Sequence, residues 1–188
     1  MTRKLLPLAM MTALVALSAC DNQAKGGSAV SSDQAVKEAN GKTIAAGLDQ
    51  NSRFLAAAKA AGIDATLAGP GPYTVLVPDD AAFAKLPDGQ VDELLKPESR
   101  TQLTQLLTYH ILPGTVLAAD LGKAIDEAKD NKAVLATMGG ETLTATKEGD
   151  KIVLTDVAGN RATVAGTDEN RSNGVVHRID AVLMPRKG

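Results

Sequence analysis

The chain contains few residues of the kinds that stack on ligands, bind metals or form disulfides. Its 188 residues include no Trp, two Tyr, two Phe, two His and one Cys. A single Cys excludes an intrachain disulfide, and four aromatic rings are too few for a surface that stacks bases or sugars. The formal net charge is only −2, and outside the first four residues the basic residues form no cluster beyond Arg186-Lys187. We therefore expect no nucleic-acid partner.

The first 19 residues predict a secretion signal. A basic start at Met1–Lys4 precedes an apolar run at Leu5–Leu17, which is too short to span a bilayer comfortably. The run closes with Leu17-Ser18-Ala19-Cys20, which resembles the lipobox of bacterial lipoproteins. The resemblance implies cleavage before Cys20 and acylation of Cys20, so that the chain is attached to a membrane. A plain signal peptide with a chance Cys is the alternative.

Residues 20–40 predict a flexible tether between the anchor and a folded domain at 41–186. The stretch is rich in Gly, Ser, Ala, Gln and Lys, and it has almost no large apolar side chain. Such a composition cannot bury enough surface to offset the entropy of ordering the chain. Asp21 resembles the inner-membrane retention signal of enterobacterial-type lipoproteins, which favours a cell-envelope location at that membrane.

The first half of the predicted domain is mainly helical. Ser52 is placed to cap a helix that stops at Gly62. Leu103, Leu106, Leu107 and His110 share one face of a helix predicted over Ser99–His110, which turns His110 inward. A looser helical pattern covers Ala118–Lys129, and the short β-branched run Tyr73–Val77 predicts one early strand.

The last third is predicted to be β-structure. Short alternating runs, separated by Gly-containing turns, predict strands at 133–137, 141–146, 151–155 and 161–165. The apolar segment Asn173–Pro185 predicts a buried terminal strand after a tight Asn173-Gly174 turn. Because helices precede strands instead of alternating with them, the predicted class is α+β.

Three separated segments resemble the fasciclin domain family. Gly71–Phe83, with the sequence GPYTVLVPDDAAF, resembles its first block; Tyr109-His110 resembles its tyrosine-histidine motif; and Asn173–Pro185, which begins NGVVHRID, resembles its second block. Pro78-Asp79-Asp80 departs from the Pro-Thr-Asn or Pro-Thr-Asp common in the family. No convincing equivalent of the integrin-binding stretches of animal members is present.

The resemblance implies a fasciclin-like fold of two small β-sheets set as a wedge, with several helices packed around them. It also implies an adhesion or binding module outside the cytoplasm that is not an enzyme. The motif residues that it singles out, mainly for structural roles, are Thr74, Pro78, Asp79, Asp80, Phe83, Tyr109, His110, Asn173, Gly174, His177 and Asp180.

These residues also permit other interpretations. Asp79 or Asp80 is well placed to cap the helix that follows, although paired carboxylates can also bind a metal. Each histidine lies among apolar residues, which favours a buried ring with hydrogen-bonded nitrogens over a metal ligand or a catalytic base. Asp180 is expected to accept from a buried donor.

Catalysis is not predicted. There is no Gly-x-Ser-x-Gly elbow, and a triad of Ser172, His177 and Asp180 is disfavoured because the latter two lie three apart on a strand. We therefore expect a lipid-anchored binding module without cofactor or metal, whose partners are the membrane, through Cys20, and a surface protein or polysaccharide. The alternative is a periplasmic small-molecule or metal-binding protein that uses the His110/His177 region.

Overall fold

The computed structural model describes residues 41–87 and 89–186. The predicted signal at 1–19, Cys20 and the predicted tether at 20–40 lie outside these residues, so the secretion signal, the acylated Cys20 and the flexible tether stay predictions. The helices of the described chain are α1 (Ile44–Gly47), α2 (Arg53–Ala61), α3 (Asp64–Ala68), α4 (Asp80–Ala84), α5 (Gln90–Leu94), α6 (Arg100–Tyr109) and α7 (Ala118–Glu127), with a 3₁₀ turn at Pro97–Ser99. The strands are β1 (Tyr73–Pro78), β2 (Ile111–Pro113), β3 (Lys132–Ala136), β4 (Thr142–Glu148), β5 (Lys151–Thr155), β6 (Arg161–Arg171) and β7 (Gly174–Ile179).

The helix boundaries follow the capping residues of the sequence. Ser52 accepts a hydrogen bond from the N–H of Leu55, and Gly62 ends α2 in the left-handed conformation at φ 78°. These are the predicted start and stop of that helix. The predicted helices over 99–110 and 118–129 are also confirmed as α6 and α7. The short helices α3 and α5 were not predicted.

The seven strands form one continuous order, β2-β1-β7-β6-β5-β4-β3. β1 and β7 are parallel, and the remaining neighbours are antiparallel. The predicted α+β class is confirmed. The two expected sheets are joined because the eleven-residue strand β6 pairs with β5 near its start and with β7 along the rest of its length. The wedge between them stays a prediction.

Two strand boundaries differ from the sequence-based expectation. β7 ends at Ile179, so 180–185 is not part of the strand although its apolar residues Val182 and Leu183 are buried. The turn before β7 consists of Ser172 and Asn173, because Arg171 pairs with Gly174 across it. Gly174 is needed for close approach: a Cβ at this position would lie 1.9 Å from the carbonyl oxygen of Tyr73.

Two apolar cores lie on the two faces of β1. Val75 and Val77 point into a core built mainly from the helices α1, α2, α3, α4 and α6. Leu76 points the other way, into a core formed by β4, β5 and α7. Because both faces of β1 are covered, its sequence is a continuous apolar run instead of an alternating one.

Candidate functional site

The three family-like segments meet at the centre of the sheet. β1 carries the first segment and lies between β2, which follows Tyr109-His110, and β7, which carries the last segment. Leu76 is the common neighbour: its N–H donates to the carbonyl of His110, and its Cα is in register with His177. The two histidines therefore lie on either side of one strand.

His110 is a buried, neutral histidine with both ring nitrogens occupied. It is 1% exposed; Nδ1 lies 2.8 Å from the carbonyl oxygen of Leu106, and Nε2 lies 3.1 Å from the N–H of Leu183. A carbonyl can only accept and an N–H can only donate, so the proton is on Nδ1. Burial lowers the pKa of His110 from 6.5 to about 4, against the opposing effect of the hydrogen bond to Leu106.

His177 has the opposite tautomer and the same kind of partners. Nε2 donates to the carbonyl of Val116 at 2.7 Å, and Nδ1 accepts from the N–H of Asp168 at 3.3 Å. The ring is 3% exposed. The carboxylate of Asp168 stays 4.0 Å from Nδ1 and accepts instead from the N–H of Ala118, which begins α7. His177 thus joins β7 and β6 to the loop before α7.

Each histidine would have to break hydrogen bonds with the backbone before it could bind a metal or accept a proton from a substrate. Within 41–87 and 89–186 there is no group of three or more His, Cys, Asp or Glu side chains placed to hold a metal ion. No observation on these residues favours the alternative of a metal-binding site at His110 and His177.

Tyr109 connects the end of α6 to the second core. Its hydroxyl donates to the carbonyl of Thr142 at 3.0 Å and accepts from the N–H of Val157 at 3.3 Å. Burial raises the pKa of Tyr109 to about 12, which keeps the phenol protonated. The ring is fully buried, so Tyr109 serves as a structural link between α6 and the β-hairpins.

Thr74 and Asn173 satisfy backbone groups of distant segments. The hydroxyl of Thr74 donates to the carbonyl of Gly114 and accepts from the N–H of Val116. The amide of Asn173 accepts from the N–H of Ile44 at 2.7 Å, and it donates to the carbonyls at the end of α3, those of Leu67 and Gly69. Asn173 therefore fastens the ends of α1 and α3 to the start of β7.

The acidic pair after β1 caps two different helices. Asp79 accepts from the N–H of Ala82 at 2.6 Å and caps α4. Asp80 accepts from the N–H of Arg53, the first residue of α2. The predicted capping role is confirmed and extended to a second helix. Pro78 is the last residue of β1, and Phe83 packs from α4 into the first core.

The predicted hydrogen-bonding role of Asp180 is confirmed, with a partly buried backbone N–H as the donor. Its Oδ1 lies 2.6 Å from the N–H of Thr163 on β6. Ser172 precedes the first residue of β7, whereas Asp180 follows its last residue, so β7 separates the two side chains. Ser172, His177 and Asp180 therefore do not form a triad.

Sequence reasoning missed two carboxylates with structural roles. Asp156 is 6% exposed, and its oxygens accept from the N–H groups of Ala158, Asn160 and Met184 and from the amide of Asn160. Asp168 has a positive φ of 56° in the irregular part of β6. The Asp-x-x-Gly-Asn pattern at Asp156 is a turn signal that could have identified it, since Asp accepts from the backbone of its own turn.

The described chain has an open surface cleft of about 610 Å³. It lies between α4, the turn that joins β5 and β6, and the segment 181–186. None of the motif residues lines it, so it is separate from the centre of the sheet. No helix among the described residues has the length and apolarity needed to cross a membrane.

Comparison with known proteins finds one matching family model and several similar proteins. The fasciclin domain model matches residues 49–185. Protein sll1483 of Synechocystis sp. is 39% identical over 142 residues, which cover 76% of this chain and 71% of that protein. Immunogenic protein MPB70 of Mycobacterium bovis is 35% identical over 115 residues, covering 61% of this chain and 51% of its own length.

The fold comparison agrees with the sequence comparison. A FAS1 domain pair from the insect cell adhesion molecule fasciclin I superposes with a TM-score of 0.65 at 19% identity, covering 76% of this chain and 51% of that one. The matched range 49–185 contains all three motif segments, and the chain belongs to the fasciclin domain family.

Proposed function

We propose that this chain is a lipid-anchored, non-catalytic binding module of the cell envelope that recognises another surface component. Family membership is the observation that carries the proposal. One protein of the same fold, fasciclin I, is an insect cell adhesion molecule. The lipobox-like sequence that ends at Cys20 supports the anchor and a location facing the periplasm or the exterior.

The chemistry of the motif residues supports a binding role over catalysis. The polar atoms of Thr74, Tyr109, His110, Asn173 and His177 bond to backbone groups within the fold. A general base or nucleophile must instead present an atom within hydrogen-bond reach of a substrate. Recognition by the outer surface, with lipidation concentrating the module at the membrane, requires no such group.

The anchor is tested by Cys20→Ser in the native host, with Ser31→Ala as a control in the predicted tether. We expect the wild type and the control to incorporate labelled fatty acid and to sediment with membranes. Cys20→Ser is expected to lose both properties. Unchanged lipid incorporation and sedimentation in Cys20→Ser would show that the anchor is wrong.

The binding role is tested by photo-crosslinking the full-length protein on intact cells. We expect covalent adducts with another envelope component that survive in Cys20→Ser when that variant is exported. If neither the wild type nor Cys20→Ser forms an adduct, although both are folded and present at normal abundance, the binding role is contradicted.

A further inference from the structure

The open cleft next to α4 combines an apolar floor with basic side chains at its edges. Leu86, Val157 and Met184 contribute apolar surface, and Val157 is 37% exposed there. Lys85, Arg161 and Arg186, from three separate segments, line the same cleft and are exposed. A cleft with apolar surface and a few convergent polar groups is the usual form of a binding site.

Every charged side chain that lines the cleft, among the described residues, is basic. Arg161 forms an ion pair with Glu148. Lys85 donates to the carbonyl oxygen of Asp180 at 2.6 Å, which orients its ammonium group without neutralising it. Within the described chain neither Lys85 nor Arg186 forms an ion pair with a carboxylate. A basic cleft in a chain of net charge −2 favours an anionic ligand.

The cleft lies at the end of β7 that is opposite to the entry of the described chain into the fold. The described chain enters the fold at Ile44, whose N–H donates to Asn173 just before β7 begins. The cleft is lined by 181–186, which follows the other end of β7. Six residues of strand separate the two ends by about 20 Å. The cleft and the point where the described chain enters the fold therefore lie at opposite ends of β7.

We propose that this cleft binds an extended acidic segment of a partner protein in which Asp or Glu alternates with apolar residues. This inference rests on the proposed function and names the chemistry of the partner. Exposed ion pairs are weak, so carboxylates at Lys85 and Arg186 select the ligand while apolar side chains on the floor supply binding energy. A polysaccharide is disfavoured because no aromatic side chain lines the cleft among the described residues.

The test uses the full-length protein, purified with detergent from cells that produce it, and a fluorescent eight-residue peptide that alternates Asp and Val. Binding is followed by fluorescence anisotropy. Peptides that alternate Lys with Val and Asp with Ser separate the contributions of charge and apolarity. The test variant is Lys85→Glu/Arg186→Glu, and the matched control is Lys59→Glu/Lys123→Glu, which makes the same charge change at exposed sites outside the cleft.

Of the three peptides, we expect only the one that alternates Asp and Val to bind the wild-type protein. Its affinity should decrease as the salt concentration increases. Lys85→Glu/Arg186→Glu is expected to weaken binding about tenfold or more, while the control stays within about twofold of the wild type. Circular dichroism is used to check that both variants are folded. Equal binding by the two variants overturns the proposal, as does a wild type that binds no peptide but binds phosphatidylglycerol vesicles or polygalacturonate.

The crosslinking experiment separates this inference from the proposed function. Envelope adducts that persist unchanged in Lys85→Glu/Arg186→Glu would show that recognition occurs elsewhere on the surface, and the cleft assignment would be wrong. Absence of adducts from the wild type contradicts the binding role itself. Loss of adducts in the cleft variant, with retention in Lys59→Glu/Lys123→Glu, supports both.

Discussion

Individual motif residues act as connectors between backbone segments that are distant in sequence. Asn173 reaches α1 and α3, and His110 joins the end of α6 to the segment after β7 through the N–H of Leu183. A buried backbone group left without a partner costs about 1–3 kcal/mol, so each connector is sensitive to substitution. The requirement for a specific donor and acceptor set explains why Asn and His, and not apolar residues, occupy these buried sites.

His110 provides a prediction at this scale. Because burial lowers its pKa from 6.5 to about 4, His110 stays neutral in the folded chain while the unfolded chain binds a proton below pH 6.5. Its contribution to stability is therefore unchanged above pH 6.5 and falls as the pH drops from 6.5 to 4, by about 3 kcal/mol in total. NMR titration of the assigned ring should give a midpoint below pH 5.

The tautomer gives an independent check of the same site. With the proton on Nδ1, the unprotonated nitrogen near pH 7 should be Nε2, which is distinguished by its ¹⁵N shift. A midpoint near 6.5, or a proton on Nε2 at neutral pH, would contradict the hydrogen bonds to Leu106 and Leu183.

At the scale of secondary structure, the acidic pair after β1 organises two helices at once. Asp79→Ala should destabilise the fold by about 1 kcal/mol through loss of the α4 cap, and Asp80→Ala by a similar or smaller amount through α2. Asp79→Ser, which retains a capping oxygen, should restore most of the loss. Urea unfolding measures each difference. If Asp79→Ser were as unstable as Asp79→Ala, capping would not explain Asp79.

Several elements could be predicted because their signals are local. The cap and stop of α2, Ser52 and Gly62, and the leucine face of α6 depend on residues within one helix. β2 could not be predicted, because its three residues form a strand only by pairing with β1, which lies about 38 positions earlier in the sequence. Ile111 pairs with Val75, and Pro113 pairs with Tyr73. The same reason hid the extension of β6 to Arg171, which depends on β7.

The candidate site was predicted only in part, because some of its contacts have local sequence signals and others depend on long-range packing. The motif pointed to Asp79 and Asp180 and their bonds to backbone N–H groups, which the structure confirms. The turn was misplaced by one residue because Asn-Gly is a strong turn signal, whereas Gly174 is required by the nearby backbone of Tyr73. The cleft had no sequence signal, since Lys85, Arg161 and Arg186 are brought together only by the fold.

At the scale of the whole molecule, β1 and β7 connect the two cores. Val75 and Leu76 are adjacent on β1 but point into the first and the second core, respectively. On β7, Val176 packs in the first core and Ile179 packs in the second. Loosening either core therefore disturbs strands that the other core needs. This arrangement predicts one cooperative unfolding transition for the described domain instead of two.

Matched leucine truncations test this coupling. Leu107 is 1% exposed in the first core, and Leu154 is fully buried in the second. Leu107→Ala and Leu154→Ala should each destabilise the fold by about 2–5 kcal/mol, and each should shift one common transition. Far-UV circular dichroism reports helices, which mainly surround the first core. In a Tyr73→Phe background, which removes the tyrosine that packs against the first core, the fluorescence of Tyr109 reports the second. In each variant, the two probes should give the same urea midpoint, because β1 and β7 are needed by both cores. Different midpoints from the two probes would show that the cores unfold independently.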